Sequence, residues 1–420
     1  MSYHTDSYLN SGQIMIGNTK NNGNAWWYNQ QLENPDTPSH YEGALPLELV
    51  KSRLFGWSAW ESFELIARFR DPVSGDVYEV PAKSFKAIGR EDWIVNGVPD
   101  GEEAGADAIL HVQGDSYGTH QLKEIFITNL SEIVGGADEL VIESAMLLKW
   151  GRIASMTISI PNNLHNDASG LKFRPQLIAS TSFNSSLPTS YTRAFGIPVC
   201  DNTLNYELMR AGDDQKFVIK HTKNSVSKLA GAAEALGLLT QQADEFDAEL
   251  TRMVNREVSE PEFQKWLNLI VPIPEIKTTQ VEKMVSIQGQ MQKAMIDKVS
   301  TNGQTIAINK QSKLMDMWNK DERVSPWRNT QFGVLQLWNT FQQHESKLVG
   351  AKALDGNRMQ ARVENNMMKV LSGKFANGTK TAPGDLQAME MLDRVFEESA
   401  PVLVGAAPKK RAPKQVVGNN

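Results

Sequence analysis

The sequence predicts an α+β protein, with an antiparallel, hairpin-rich sheet and helices in the N-terminal half, followed by an all-helical C-terminal region. Two observations support this fold class. Apolar and polar residues alternate at every second position in several stretches before residue 225, as strands require. From residue 225 onward apolar residues recur every three or four positions, as on one face of a helix.

The composition is that of a globular protein, with 40% apolar and 22% charged residues in a chain of 420. The net charge of −6 argues against a dedicated duplex-DNA binder, although a local basic groove is compatible with it. A single cysteine, Cys200, excludes an internal disulfide framework and a multi-cysteine zinc site. Neither a signal peptide nor a membrane-spanning run is evident, so we expect a cytoplasmic protein without a membrane partner.

Residues 1–38 are rich in Asn, Gly and Ser and are predicted to form a flexible N-terminal arm. Its aromatic cluster, Trp26-Trp27-Tyr28, either anchors the arm to the body or forms a stacking or subunit contact.

The α+β sheet domain is expected over residues 39–224. It begins with a short helix at 44–54, and strands at 63–70 and 77–81 flank the turn Asp71–Asp76. Further strands at 87–95 and 106–112 are followed by an amphipathic helix at 120–133, which Gly135-Gly136 ends.

A hairpin is predicted from strands 140–149 and 153–160, joined by Trp150-Gly151-Arg152. In its second strand Ser155, Thr157 and Ser159 alternate with apolar residues. We therefore expect one face of this strand in the core and the other at solvent or a partner. Strands beginning at Lys172 and Thr189, a short helix at 202–209 and a strand at 217–220 complete the domain.

The C-terminal part is divided into a helical region at 225–372, a linker at 373–384, a terminal helix at 385–400 and a basic flexible tail at 401–420. Ser259 and Glu262 form a capping box at the start of a helix over 259–269. A Met- and Gln-rich stretch at 278–298 is predicted to be another helix. The tail is either a solubilising end or a weak, salt-sensitive tether to nucleic acid.

Signatures of known chemistry are largely missing. The seven histidines lack metal-ligand spacing, and the chain contains no P-loop, GxGxxG or GxSxG motif. We therefore predict neither a metal site nor a cofactor, and no catalytic residue is assigned. An enzymatic alternative would use the polar set Asn202, Thr203, His221, Thr222 and Asn224, with His221 as acid or base. Turn and capping hydrogen bonds explain such a set more simply.

Basic residues interleaved with aromatic residues are the more informative pattern. They fall on the hairpins and strand ends of the predicted sheet, and single-strand nucleic-acid sites combine such cations with stacking rings. The alternative is the ordinary solvent face of a sheet. The predicted nucleic-acid-binding residues are Lys149, Arg152, Lys172, Arg174, Tyr191, Arg193, Lys220, His221 and Lys223.

Five segments carry a resemblance to a known family. They are GDSYGTHQLKEIF, TSFNSSLPTSYTR, PVCDNTLNYEL, IKHTKNSVSKLAGAAEALGL and SPWRNTQFGVLQLWNTFQQHE. In order and spacing they resemble the phage/plasmid-like proteins of actinobacterial phages and plasmids, a family catalogued as a domain of unknown function. The resemblance covers residues 43–345. The chain departs from the family near its start, where NAWWYNQ stands in place of a PAWHGLG-like block.

The resemblance implies a mobile-element origin and a host-cytoplasmic location, and it associates the chain with DNA replication and recombination without supplying catalytic residues. We therefore expect a phage protein that binds or anneals single-stranded DNA through the basic hairpins, as a homo-oligomer and without a nucleotide cofactor. The alternative is a non-enzymatic structural or interaction protein that binds a host or phage protein.

Overall fold

The structure is a computed structural model of the chain. It describes residues 13–22, 30–31, 33–96, 108–128, 141–159, 164–196, 203–204, 216–222, 225, 239–287, 290–342, 368, 371 and 383–399. These residues form a mixed α and β structure with antiparallel sheets and a helical C-terminal part. Within the described ranges, every helix is too short or too polar to cross a membrane.

The strands form one large sheet, a small three-stranded sheet and two separate two-stranded ribbons. In chain order they are β1 Ile14–Ile16, β2 Ala59–Ser62, β3 Ile66–Arg70, β4 Val77–Pro81, β5 Phe85–Arg90, β6 Ile109–Gly114, β7 Val141–Leu148, β8 Ile153–Ser159, β9 Leu164–Asn166, β10 Leu171–Ser182, β11 Thr189–Gly196, β12 Thr203–Leu204, β13 Lys216–Ile219, β14 Lys277–Ile287 and β15 Gln290–Ser300.

Short helices lie between the early strands, and longer ones follow the large sheet. They are α1 Thr19–Asn22, α2 Leu47–Val50, α3 Glu91–Asn96, α4 Leu239–Asn255, α5 Glu260–Ile270, α6 Asn302–Lys320, α7 Gln331–Thr340 and α8 Asp385–Ser399. Two π-helical turns, Lys51–Phe55 and Lys123–Thr128, pack against each other through the stacked rings of Phe55 and Phe126. The second turn replaces the start of the helix expected at 120–133, whose last residues lie outside the described part.

The large sheet has the strand order β1-β7-β8-β10-β11-β12, with β9 beside β10 and β13 beside β11. The predicted hairpins β7–β8 and β10–β11 are both present. The expectation of one solvent-facing side is wrong, because side chains on both faces of β8 are buried. One face is aliphatic, and the other is rich in hydroxyl groups. The buried hydroxyl residues of that second face are Ser155, Thr157, Ser159, Ser180, Ser182, Ser190 and Thr192.

The N-terminal part differs from the expected flexible arm, because Ile14–Ile16 is a mostly buried strand paired with β7.

After this strand in the chain, β2, β5 and β6 form the three-stranded sheet. The hairpin β3–β4 is inserted between β2 and β5 and is hereafter the first ribbon. Its turn and strands match the predicted turn Asp71–Asp76 and the flanking strands.

The C-terminal helices enclose an aromatic core around Trp266, Trp318 and Trp338. The predicted capping box is confirmed, with Ser259 and Glu262 at the start of α5. The terminal helix expected at 385–400 spans Asp385–Ser399. Residues 373–382 of the expected linker and the whole basic tail lie outside the described residues.

The prediction of an all-helical region is wrong at residues 278–298. There the chain forms β14 and β15, an eleven-residue antiparallel pair that is hereafter the second ribbon. β-branched residues explain the difference. Thr278, Thr279, Val281, Val285 and Ile287 stand in the first strand, and such side chains favour an extended backbone.

A buried carboxyl group lies at the start of α8. Asp385 accepts hydrogen bonds from the side-chain amides of Asn339 at 2.8 Å and Gln342 at 2.7 Å. Burial raises the pKa of Asp385 to about 7, while the two amide donors oppose the shift.

Candidate functional site

The predicted basic residues do not share one surface. Arg174 is buried, and its guanidinium contacts the buried carboxylate of Glu143, which also accepts from Gln176 Nε2 at 2.5 Å. Tyr191 is also buried, and its hydroxyl donates to the carbonyl of Ile125 at 3.2 Å. In this conformation neither side chain is open to a ligand arriving from solvent.

Two groups of the predicted residues lie at opposite ends of the large sheet. Lys172 is exposed near the start of β10. Ten residues of β10 separate it from Ser182, which is about 33 Å of extended strand. Lys149, Arg152, Lys220 and His221 lie at the Ser182 end, because Ile153 pairs with Ser182 and Ile219 pairs with Thr189. The side chain of Arg193 and all of Lys223 lie outside the described part.

We call this second group, Lys149, Arg152, Lys220 and His221, the basic end. Lys220 is exposed, and Lys149 and Arg152 are half-buried. Arg152 Nε donates to the carbonyl of Leu110 at 2.7 Å, which fixes its side chain against β6. Lys149 and Lys220 form no ion pair with any residue that the structure describes. Their charges therefore remain available to an anionic partner.

The turn that carries Lys149 is strained. Lys149 and Trp150 have φ of 51° and 61°, in the left-handed region that side chains with a Cβ rarely adopt. The guanidinium of Arg90 stabilises this turn by donating to the carbonyl of Trp150 at 3.4 Å, and it lies between the rings of Trp57 and Trp93. Such strain persists only where surrounding contacts hold it, and it concentrates at functional sites.

A column of three rings stands beside the basic end. Tyr117 stacks on His221 with 4.7 Å between ring centroids, and His221 stacks on His120 with 4.3 Å. Gly118 allows this packing, because a Cβ there would lie 2.3 Å from the carbonyl oxygen of Thr222. The column therefore joins the segment before the second π-helical turn to the segment after β13.

Hydrogen bonds assign the protons of both histidines. Ser225 Oγ donates to the carbonyl of Thr222 at 2.5 Å, so it accepts from His120 Nε2 at 2.8 Å. His120 Nδ1 then accepts from the hydroxyl of Thr189 at 2.7 Å. His221 Nδ1 lies 2.9 Å from the carbonyl of Gly118 and must carry its proton. Both rings are neutral in this network.

Burial keeps these rings neutral. It lowers the pKa of His120 to about 4, and the neighbouring His221 contributes to the shift. Burial also lowers the pKa of His221, against the hydrogen bonds it makes with backbone at Gly118 and Leu187. Both ring nitrogens of buried His120 are engaged, so this side chain is a structural link and not an accessible base.

The polar set considered for catalysis is only partly described. His221 is the central ring of the column, Thr222 follows it in the chain, and Thr203 lies in β12. Asn202, Asn224 and Cys200 fall outside the described residues. Across the described ranges, no three His, Cys, Asp or Glu residues are grouped as a metal site would need.

Sequence reasoning missed His120, Thr189 and Ser225 as one cluster. His120 and Ser225 are 105 positions apart, and no local spacing rule relates them. The available signal was that each lies in, or directly beside, a segment that carried the family resemblance. Described residues of the segments 114–126, 181–193 and 219–238 meet at this point of the structure, through the hydrogen bonds of His120 and His221.

Comparison with known proteins identifies one family. No curated protein and no solved structure matches the chain. The model of a family described as "Domain of unknown function (DUF932)" matches residues 109–371, more than half of the chain. All five segments of the resemblance lie inside this range, whereas the first ribbon lies before it. The chain therefore belongs to the DUF932 family.

Proposed function

We propose that this protein binds single-stranded DNA at the basic end of its large sheet and promotes annealing without a nucleotide cofactor. The observation that carries the proposal is that Lys149 and Lys220 lie at the same end of the large sheet and form no ion pair with the described residues. The resemblance to actinobacterial phage and plasmid proteins supports a role in phage DNA metabolism, including recombination, in a host cytoplasm.

The geometry of the basic end suits a short stretch of backbone. Going from β8 to β13 crosses three strand spacings, or about 14 Å, so Lys149 and Lys220 can each bind a phosphate of the same strand. Arg152 lies on the β8 side of this span. His221 adds no charge at neutral pH because its pKa is lowered.

Aromatic rings favour a single strand over a duplex. Trp150 follows Lys149 directly, and both Trp150 and Tyr117 are only half-buried. Unpaired bases stack on such rings, whereas the bases of a duplex are already stacked on one another.

Fluorescence anisotropy with a labelled single-stranded oligonucleotide, beside the matched duplex, tests the proposal. With three cations at the site, we expect the logarithm of the binding constant to fall with the logarithm of salt concentration at a slope of about −2. The double variant Lys149→Ala/Lys220→Ala should reduce the slope to about −0.7 and weaken binding.

Lys172→Ala is the matched control, because Lys172 is an exposed lysine of the same sheet at its other end. It should leave both affinity and slope unchanged. An equal loss from Lys172→Ala would show that contact is spread over the sheet and not confined to the basic end. No binding of the wild type at low salt would overturn the proposal altogether.

A second candidate function is that of an interaction protein that binds another protein without catalysis. The exposed apolar side chains of the first ribbon favour it, because aromatic residues are enriched at protein interfaces. The two functions use different surfaces of the chain and are compatible.

A further inference from the structure

The first ribbon reverses the usual pattern of burial. Phe69 and Tyr78 are directly opposite each other on β3 and β4, with Ala67 opposite Val80 beside them. The rings of Phe69 and Tyr78 are 58% and 55% exposed. On the other ribbon face Ile66 and Val77 are equally open, around the ion pair of Arg68 with Glu79. A two-stranded ribbon with such faces has little to stabilise it alone in water.

A second apolar surface lies on the three-stranded sheet from which the ribbon extends. Its inner face packs on the core through Ala59, Ile88 and Leu110. Its outer face presents Trp60, Phe85 and Val112, with Trp60 and Val112 each 47% exposed. Ile94 of α3 adds to this face, since it lies directly over Gly89.

We propose that two copies of this chain form a dimer by exchanging their first ribbons, each ribbon lying on the outer face of the partner's three-stranded sheet. One chain carries both apolar surfaces, the first ribbon and the outer face of the three-stranded sheet. In a dimer with a two-fold axis, each ribbon covers the partner's sheet face, so all four surfaces are buried. This proposal is independent of nucleic-acid binding and uses a different surface.

The exposed apolar area supplies most of what a stable dimer needs. The ribbon face that carries Phe69 and the outer sheet face together present seven large apolar side chains, each close to half exposed. At roughly 80 to 100 Å² each they offer about 560 to 700 Å², and a standard interface buries about 800 Å² on each partner. The members of this set are Trp60, Phe69, Tyr78, Val80, Phe85, Ile94 and Val112.

The charge of this region favours a second copy of the chain over a nucleic acid as its binding partner. Residues 59–90 contain five acidic and five basic residues and are neutral as a unit. Several of these charges are already paired within the chain, as in Lys86 with Glu61 and Arg90 with Asp92. A region without net charge neither repels its own copy nor attracts phosphates, although the whole chain carries a net charge of −6.

Analytical ultracentrifugation of the full-length protein at micromolar concentration tests the proposal. The wild type should sediment at about twice the chain mass of 46.8 kDa. The ribbon variant Phe69→Ser/Tyr78→Ser and the sheet-face variant Trp60→Ser/Val112→Ser should both be monomers. Because these side chains are exposed, thermal unfolding of the monomers verifies that each variant is folded.

Mixing the two variants distinguishes exchange from contact between ribbons. A mixture contains one intact ribbon and one intact sheet face, so it should recover a heterodimer of reduced affinity. Met284→Ser, on the second ribbon, is the control and should leave the dimer intact. A monomeric wild type would overturn the proposal and leave another protein as the occupant. A sheet-face variant that stays dimeric would also overturn it, in favour of contact between ribbons.

Discussion

The large sheet and the first ribbon distribute polar and apolar residues in opposite ways. One face of the sheet buries seven serine and threonine side chains, and the sheet also buries the pair Arg174–Glu143. The ribbon exposes Ile66, Phe69 and Tyr78 to solvent. Burying polar groups costs free energy unless they are hydrogen-bonded, and exposing apolar groups forgoes the gain of burial. Several of the sheet's polar residues are hydrogen-bonded within the sheet, as in Ser180 with Ser190 at 3.0 Å, whereas the ribbon's apolar residues are open to solvent.

Breaking the buried ion pair should have the largest effect on stability. Arg174→Ala leaves the carboxylate of Glu143 buried with Gln176 as its remaining hydrogen-bond donor. We expect a loss of about 3 to 5 kcal/mol in the free energy of unfolding, measured with urea. Lys172→Ala, two positions earlier and exposed, should change that free energy by less than about 0.5 kcal/mol.

A loss below about 1 kcal/mol for Arg174→Ala would contradict the burial of this pair. It would also restore Arg174 as a candidate for binding DNA, as the sequence predicts. Charge reversal at Arg174 is a poor test of DNA binding in either case, because it would place two negative charges together inside the protein.

The comparison of the two regions also shows what the sequence could predict. Alternation located β7, β8, β10 and β11, because strand periodicity is a local property. It could not reveal that the hydroxyl face of β8 is covered, since cover comes from segments distant in the sequence. Arg174 and Lys172 share one side of β10 by alternation, yet only Arg174 contacts Glu143. Alternation therefore did not show which of the predicted binding residues are exposed.

The second ribbon shows that amino-acid propensities alone do not decide between a helix and a strand. Met, Gln and Lys at 278–298 favour a helix, and the β-branched residues between them favour strands. Gly289 stands between the two strands and was the stronger signal, because glycine is typical of a hairpin turn.

Two buried groups should give opposite pH dependences of stability, of intermediate size. His120 has a folded pKa of about 4 against 6.5 when unfolded, so the stability it contributes is complete above pH 6.5 and is lost as pH falls towards 4. Asp385 has a folded pKa of about 7 against 3.8 when unfolded. Its ionised form therefore destabilises the folded state at neutral pH, and the free energy of unfolding rises as the carboxyl group is protonated at lower pH. Between about pH 7.5 and pH 5 each change amounts to about 2 kcal/mol.

Variants separate the two contributions. Asp385→Asn removes the rise in stability that protonation of Asp385 gives on acidification. Between about pH 7.5 and pH 5 the free energy of unfolding of this variant should therefore change less favourably than that of the wild type, by about 2 kcal/mol. His120→Gln removes the loss of stability that His120 causes on acidification. As the pH falls over the same interval, the stability of this variant should therefore rise relative to that of the wild type. Urea denaturation at both pH values measures the differences, and equal pH dependence in all three proteins would show that neither group is buried as described.

The smallest effect is expected from an isoleucine-to-alanine substitution in the first ribbon, and the same substitution in the large sheet provides the comparison. Ile158→Ala in the large sheet removes a fully buried side chain and should cost about 2 to 5 kcal/mol. Ile66→Ala in the first ribbon removes a side chain that is 64% exposed and should cost less than about 0.5 kcal/mol. Both are measured by urea denaturation at concentrations low enough to keep the protein monomeric. If Ile66→Ala became costly only at high protein concentration, the ribbon's apolar residues would be stabilising an association and not the fold. A large cost at every concentration would instead mean that the ribbon packs against its own chain.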